Sequence, residues 1–299
     1  MRDAMGALAV VAVAILFLAS RAALAGIEPV GKLSVEAGAE KEEGTSAGGR
    51  GSLTALGVMP IVGDFGLQGK ANYTGGLGSR FGLTAGPLYS WGSGKVGLFV
   101  SYQYRTFNSN NFVHLLPSAA FYLPQVNINL YYSHPISDPQ RDGRINVNRR
   151  IQYGINELVG SFSYFPGFDI ASFMKKDNIE LTLGVQGNSF GGAGTHNLQS
   201  GVGPVFGLAF MPMKGWEVNV VQGTIDNHGR YKVLSGVSFY FDKIGASLKE
   251  LRRRYLEPNN KELSGAGNQN GDVIVLGSSP VFDRRSLRGK GARIHLSPR

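Results

Sequence analysis

The chain has 299 residues, a formal net charge of +9, 43 glycines, 10% aromatic and only 17% charged residues, and no cysteine. The absence of thiols excludes a disulfide framework and thiolate chemistry, so stability must come from backbone hydrogen bonding and burial. Charge falls below the ~25% of ordinary soluble domains. After residue 25 no run approaches the ~18 apolar residues of a membrane-crossing helix.

Residues 1–25 read as an export signal. Arg2 opens a short basic region, Ala7 to Ala19 is uncharged and apolar, and Ala23-Leu24-Ala25 supplies the small-x-small cleavage pattern. The mature chain is expected to begin near Gly26. The apolar run from Ala4 to Ala19 is 16 residues, short of the ~20 needed to span a bilayer as a helix.

From there to residue 241 the dominant signal is two-residue alternation, which sends successive side chains to opposite faces of a strand. Val96, Leu98, Val100, Tyr102 and Tyr104 fall on one face. Gly97, Ser101, Gln103 and Arg105 fall on the other, with Phe99 as an exception. Val126 to Tyr132 and Ile179 to Gln186 alternate in the same way. Twelve segments are long enough to cross a membrane when tilted, at ~9–11 residues each. They are placed at 32–40, 51–60, 64–74, 80–90, 95–106, 112–123, 125–133, 151–164, 178–188, 200–212, 215–225 and 230–241. The second alternates poorly. The sixth contains Pro117, which lacks a ladder donor and is expected at a bulge or weakened pair.

The connections differ by end. With the N-terminus periplasmic, Lys41–Arg50, Thr106–Asn111, His134–Arg150 and Asn188–Gln199 face outward, several of them long and polar. Ile61–Asp64, Trp91–Gly94, Pro124–Gln125 and Met213–Gly215 are short and face inward, the asymmetry expected of outer-membrane barrels. The eighth connection, Pro166–Asp177, is longer, and Phe168, Ile170, Phe173 and Met174 are read there as an interfacial helical turn. Tyr73, Tyr89, Trp91, Tyr132, Tyr164, Trp216, Tyr231 and Phe241 sit near segment ends, as interfacial girdles do. A soluble β-sandwich also alternates, but has no reason to place its aromatics so.

The expected fold is therefore all-β, a transmembrane antiparallel up-and-down barrel of about 12 strands over 26–241, in the outer membrane of a Gram-negative-type bacterium. The inward face is expected to carry Glu36, Gln68, Lys70, Asn72, Arg80, Gln103, Arg105, Asn127, Asn129, Glu157, Glu180, Glu217, Asn219 and Lys232. With both signs present, these residues either cross-link one another into a filled core or line a hydrated pore. The last strand, Tyr231 to Phe241, places Gly236 ahead of Phe239 and Phe241 and looks like a signal for barrel-assembly machinery. Leu234 stands where that signal usually has a polar residue.

After Phe241 the alternation stops. Ile244, Leu248, Leu251 and Tyr255 recur at helical spacing, so a helix is expected over 242–256, with Arg252-Arg253-Arg254 suiting its negative end. A Gly/Asn-rich linker follows, then a short strand around Val273 to Leu276, then a basic stretch with Arg284, Arg285, Arg288, Lys290, Arg293 and Arg299. Residues 242–299 hold twelve Lys and Arg against six Asp and Glu, a net +6. Such a tail is a solvated segment or a contact for an anionic envelope surface; outer-membrane lipid is the other expected partner, and nucleic acid is not expected in an exported chain.

Catalytic and metal motifs are weak. Gly187-Asn188-Ser189-Phe190-Gly191 matches a nucleophile-elbow pattern but opens a glycine-rich outer loop, without the strand-to-helix turn that motif requires. Of the five histidines His114, His134, His196, His228 and His295, no two fall at metal-ligand spacing, so neither metal nor cofactor is expected. His114 and Ser118 are four residues apart on one strand, about 13 Å, too far for a nucleophile and its base. An outer-membrane lipid hydrolase is thus the least favoured function, behind an anchor or translocation pore and a passive diffusion porin.

Tyr73-Thr74-Gly75-Gly76-Leu77-Gly78-Ser79-Arg80, Leu98 to Arg105, and Val126 to Ile136 follow one another as a Gly-x-Arg strand, an aromatic-x-aromatic strand and an Asn-rich strand ending in aromatics and proline. In this, Asn72 to Ile136 resembles the barrel of inverse autotransporters of the intimin/invasin type. The resemblance implies a 12-stranded barrel whose linker threads the pore and displays adhesive domains. Only 58 residues follow Phe241, too few for such domains, so it implies the barrel without a large passenger.

Overall fold

A computed structural model describes residues 30–41, 47–75, 79–105, 110–137, 140–141, 151–171, 175–190, 201–227, 229–241, 246–256 and 272–274; the expected signal peptide and the basic end of the tail lie outside them. Strands form where two-residue alternation dominates: β1 (Val30–Lys41), β2 (Gly48–Val62), β3 (Phe65–Gly75), β4 (Arg80–Trp91), β5 (Gly94–Arg105), β6 (Asn110–Tyr122) and β7 (Val126–Pro135). After a two-residue strand β8 (Gln140–Arg141) come β9 (Ile151–Tyr164), β10 (Ile179–Phe190), β11 (Gly201–Met213), β12 (Trp216–Ile225) and β13 (Tyr231–Tyr240). Each of the twelve long strands coincides with one of the twelve expected segments.

Every long strand pairs antiparallel with its neighbours in sequence. β13 closes onto β1 from Lys32↔Tyr240 to Lys41↔Tyr231, and β9 pairs with both β7 and β10. The result is a closed 12-stranded up-and-down barrel. Closure leaves no sheet edge, the condition for placing strands in hydrocarbon.

Side chains sort as the alternation requires. Val35, Leu83, Val100, Leu181, Leu183, Val185 and Val237 face outward and are exposed, whereas Ser34, Glu36, Thr84, Ser101, Thr182 and Ser238 face inward. An exposed apolar wall around a polar interior is stable only with lipid outside.

Tight connections gather at the end holding both barrel termini. Gly63 and Gly215 turn there with φ of 54° and 78°, the left-handed geometry that two-residue hairpins need. Aromatic rings make a girdle at this end. Phe65 packs on Tyr89 at 4.8 Å, Tyr89 on Trp91 at 6.2 Å, Trp91 on Phe121 at 6.1 Å, Trp216 on Phe239 at 4.9 Å and Phe239 on Phe241 at 4.9 Å. Phe239 and Phe241 thus belong to the outer girdle, while at Gly236 an added Cβ would meet the Val35 carbonyl at 2.2 Å.

Some details differ from the sequence expectation. Residues 166–171 are irregular rather than helical, and Phe168 and Ile170 are exposed; Phe173 and Met174 lie outside the described residues. Pro166 is buried, and a 3.0 Å bond from the Asp177 amide to its carbonyl braces this connection without a helical ladder. The Gly187-to-Phe190 stretch belongs to β10 rather than to a loop, with Ser189 opposite Asn156 and Phe190 opposite Ile155. Pro117 does interrupt a ladder: β6 and β7 pair at Leu115↔His134 and next at Ser118↔Tyr131.

Beyond the barrel, helix α1 (Leu248–Arg254) is shorter than the 242–256 expected. Ser247 caps it, accepting from the Glu250 amide while Glu250 accepts from the Ser247 amide, and Tyr255 leaves the helix with extended backbone. Residues 242–245 lie outside the described residues. The expected short strand is β14 (Asp272–Ile274).

Candidate functional site

The inward wall is polar over its long-loop half. Glu40 and Arg50 form a buried ion pair, and Arg50 also reaches Thr74 at 3.5 Å. Glu36 accepts from Ser52 at 3.3 Å, from Asn219 at 3.5 Å and from Gln222. His114 Nδ1 lies 3.0 Å from Ser133 Oγ on the neighbouring strand, not near Ser118.

Toward the short-turn mouth the inward face turns apolar. Leu88, Phe99, Leu116, Ala120, Tyr131, Val159 and Val205 form one buried cluster, and Leu56, Phe165, Ala209, Met211 and Tyr240 form another. Here α1 enters the barrel: Leu248, Leu251 and Tyr255 complete the second cluster and Leu256 the first. The apolar positions of α1 at spacing three and four meet apolar wall, and burying each large side chain is worth ~1.5–3 kcal/mol.

Polar contacts then fix the helix on nearly every side. Arg252 donates to Glu180 Oε2 at 2.7 Å and to Glu217 Oε1 at 2.8 Å, and Tyr240 Oη donates to Glu217. Burial alone would weaken the guanidinium's hold on its proton, but Glu180 and Glu217 outweigh it and push the pKa above its ordinary value. Arg253 donates to Asn127 Oδ1 at 2.9 Å and to the Leu123 carbonyl, and stacks over the Tyr122 ring at 5.1 Å. Lys95 Nζ reaches the Arg254 carbonyl at 2.6 Å, satisfying an acceptor left open at the helix end. Gln68 brackets Leu256, accepting from its amide at 2.9 Å and donating to its carbonyl at 3.0 Å. At the helix start the Leu248 amide donates to Asn178 Oδ1 at 3.0 Å, and Lys249 pairs with Asp177 at 2.7 Å.

The structure therefore brings together four of the fourteen expected inward residues, Gln68, Asn127, Glu180 and Glu217, around one element. Glu36 and Asn219 meet each other. Lys70, Asn72, Arg80, Gln103, Glu157 and Lys232 are buried on the wall, and Asn129 is half-buried. The side chain of Arg105 lies outside the described residues. Lys95, Tyr122, Asn178 and Tyr240 were missed by the sequence reasoning. Tyr122 and Tyr240 carry a signal as inward positions that break the polar pattern, as Phe99 does, whereas Lys95 and Asn178 carry none in the alternation.

A second anchor lies at the opposite mouth. β9 pairs with β7 from Glu157 onward and with β10 from Ile155 onward, so its first residues stand above the rim. There β14 pairs antiparallel with β9, Asp272↔Gly154 to Ile274↔Gln152. The chain after the barrel thus has described contacts at both ends of the lumen.

A closed wall, apolar outside and polar inside with a girdle of aromatics, defines an integral outer-membrane β-barrel, a channel or an anchor, with part of its own C-terminal segment seated in the mouth. No protein family and no curated protein matches the chain by sequence. Solved structures match by fold. A membrane protein from a study of in-meso crystallization superposes with a TM-score of 0.55 at 12% identity, covering 77% of this chain and 97% of its own. An outer membrane channel from Pseudomonas putida F1 gives 0.51 at 12% identity, covering 71% and 95%. The translocator domain of the autotransporter NalP from Neisseria meningitidis gives 0.43 at 12% identity, covering 80% and 99%, a similarity too low to argue from.

Proposed function

We propose that this protein is a non-enzymatic barrel that anchors its own C-terminal segment in the outer membrane and passes it through the lumen, with α1 holding the short-turn mouth shut. The observation that carries the reading is the fit of α1: an apolar face on apolar wall, the Arg252 and Arg253 guanidiniums each bonded to wall side chains, and the Arg254 carbonyl accepting from Lys95. A helix resting by chance in a wide mouth would not find two buried carboxylates for one guanidinium. The pairing of β14 with β9 supports an exit at the long-loop mouth. In this the reading follows the inverse-autotransporter resemblance of the barrel, and the basic end at 284–299 follows the lumen segment. That end would meet anionic groups of the envelope by charge alone.

Planar-bilayer conductance before and after deletion of 242–299 tests the proposal. A closed full-length protein and a sharp rise on deletion is the expected result. An unchanged open conductance would make it a porin with an incidental tail, and no conductance from either form would make it an anchor only. An epitope placed after Arg299 is expected to be cut by protease on intact cells; protection there would put the tail in the periplasm.

A further inference from the structure

We infer that the outer wall carries a binding site for one phospholipid acyl chain, in a groove across strands β4 to β9. The groove has a volume of about 610 Å³ and is lined on the lipid side by Pro87, Val96, Leu98, Pro117, Leu130 and Leu158, with no charged residue. That volume lies within the ~300–1,000 Å³ of small-molecule sites.

Its origin is the sequence of the wall. Pro87 stands in the gap of the β4–β5 register at the level of Leu98, and Leu98↔Pro117 is a registered pair. Neither proline has an N–H to give. The β4–β5 ladder passes from Ala85↔Val100 directly to Leu88↔Gly97, and the β6–β7 ladder from Leu115↔His134 to Ser118↔Tyr131. Two broken ladders therefore flank the β5–β6 pair at one level. Between them the wall thins to Gly97, where an added Cβ would meet Leu256 from the lumen side at 2.8 Å. Outside that thin place is the groove.

The occupant follows from position. The groove is continuous with the exposed apolar belt, between Tyr89 near the short turns and Tyr132 above. Water there would face hydrocarbon with no polar partners. Lipid offers no hydrophobic gain over lipid, so the preference comes from packing: a concave surface gives an acyl chain more close contacts than a convex wall. It lies in the short-turn half, which the proposed topology turns toward the periplasmic leaflet; the inference rests on that reading for its choice of phospholipid.

The test is photo-labelling of the full-length protein in phosphatidylethanolamine/phosphatidylglycerol liposomes containing phosphatidylethanolamine with a diazirine in one acyl chain. Labelling mapped by peptide mass spectrometry is expected to favour residues 87–98 and 117–132 over the outer wall of β10 and β11 by roughly tenfold. Leu98→Trp or Leu130→Trp, filling the groove from outside, is expected to abolish the excess, and Val237→Trp on β13, across the barrel, to leave it. Even labelling around the barrel would overturn the inference. So would an excess untouched by both groove variants while each still runs as a folded barrel on an unheated gel. Conductance plays no part in this readout, so its failure is separable from failure of the closed-mouth reading.

Discussion

Replacing Arg252 with alanine removes a cation bonded to two carboxylates that are 2% and 0% exposed, Glu180 and Glu217. Removing one partner of a buried ion pair costs ~3–5 kcal/mol, because the other charge stays buried without compensation. Thr182 and Tyr240 still donate to these carboxylates, so the lower end of that range applies. A loss of about 3 kcal/mol corresponds to roughly 100-fold in the ratio of undocked to docked helix. Single-channel recording in a planar bilayer reads that ratio as open against closed time, which should rise about 100-fold in Arg252→Ala. Arg252→Lys keeps the charge but cannot fork to both carboxylates, and should fall between. A folded Arg252→Ala barrel with the closed-time fraction of the parent would refute the reasoning, since the ion triad would then not hold the helix.

Ser247→Ala removes the hydroxyl that accepts from the Glu250 amide, while the backbone bond to the Glu250 carboxylate stays, and should cost ~1 kcal/mol, seen as about a fivefold rise in the same open-to-closed ratio. Gly203→Ala places a Cβ 1.8 Å from the Ile225 carbonyl, so strands β11 and β12 must separate locally. Overpacking of this kind costs ~1–3 kcal/mol, measurable as a lower urea midpoint by tryptophan fluorescence. Leu183→Arg puts a charge on the lipid face, which costs ~2–4 kcal/mol near the midplane; the same refolding assay should show it well below Leu183→Ala.

The barrel was legible because a closed wall imposes one rule on every strand, and the twelve segments obey it closely enough to be placed by period alone. The mouth was not, for a physical reason. A wall facing water should alternate cleanly, but a wall facing the apolar side of a docked helix is apolar on both faces. Leu56, Leu88, Phe99 and Leu116 therefore look like faults in the pattern, and the poor alternation of the second segment was read as weakness. These inward apolar positions are the footprint of α1 and Leu256. The triple arginine was read as a helix-dipole feature of a solvated tail; its partners lie 72 and 35 residues away in sequence, at Glu180 and Glu217, a distance that spacing cannot reveal. His114 went the same way, since its partner Ser133 lies across a strand pair rather than along one.

The most direct test uses the absence of native cysteine. With Gln68→Cys and Leu256→Cys as the only thiols, a short bis-maleimide should join wall to tail in the assembled protein, as the two hydrogen bonds between these residues require. The joined form should stay closed in a planar bilayer under conditions that open Arg252→Ala. Failure of a folded barrel to cross-link, or a joined form that conducts freely, would contradict a lumen occupied by its own C-terminal segment.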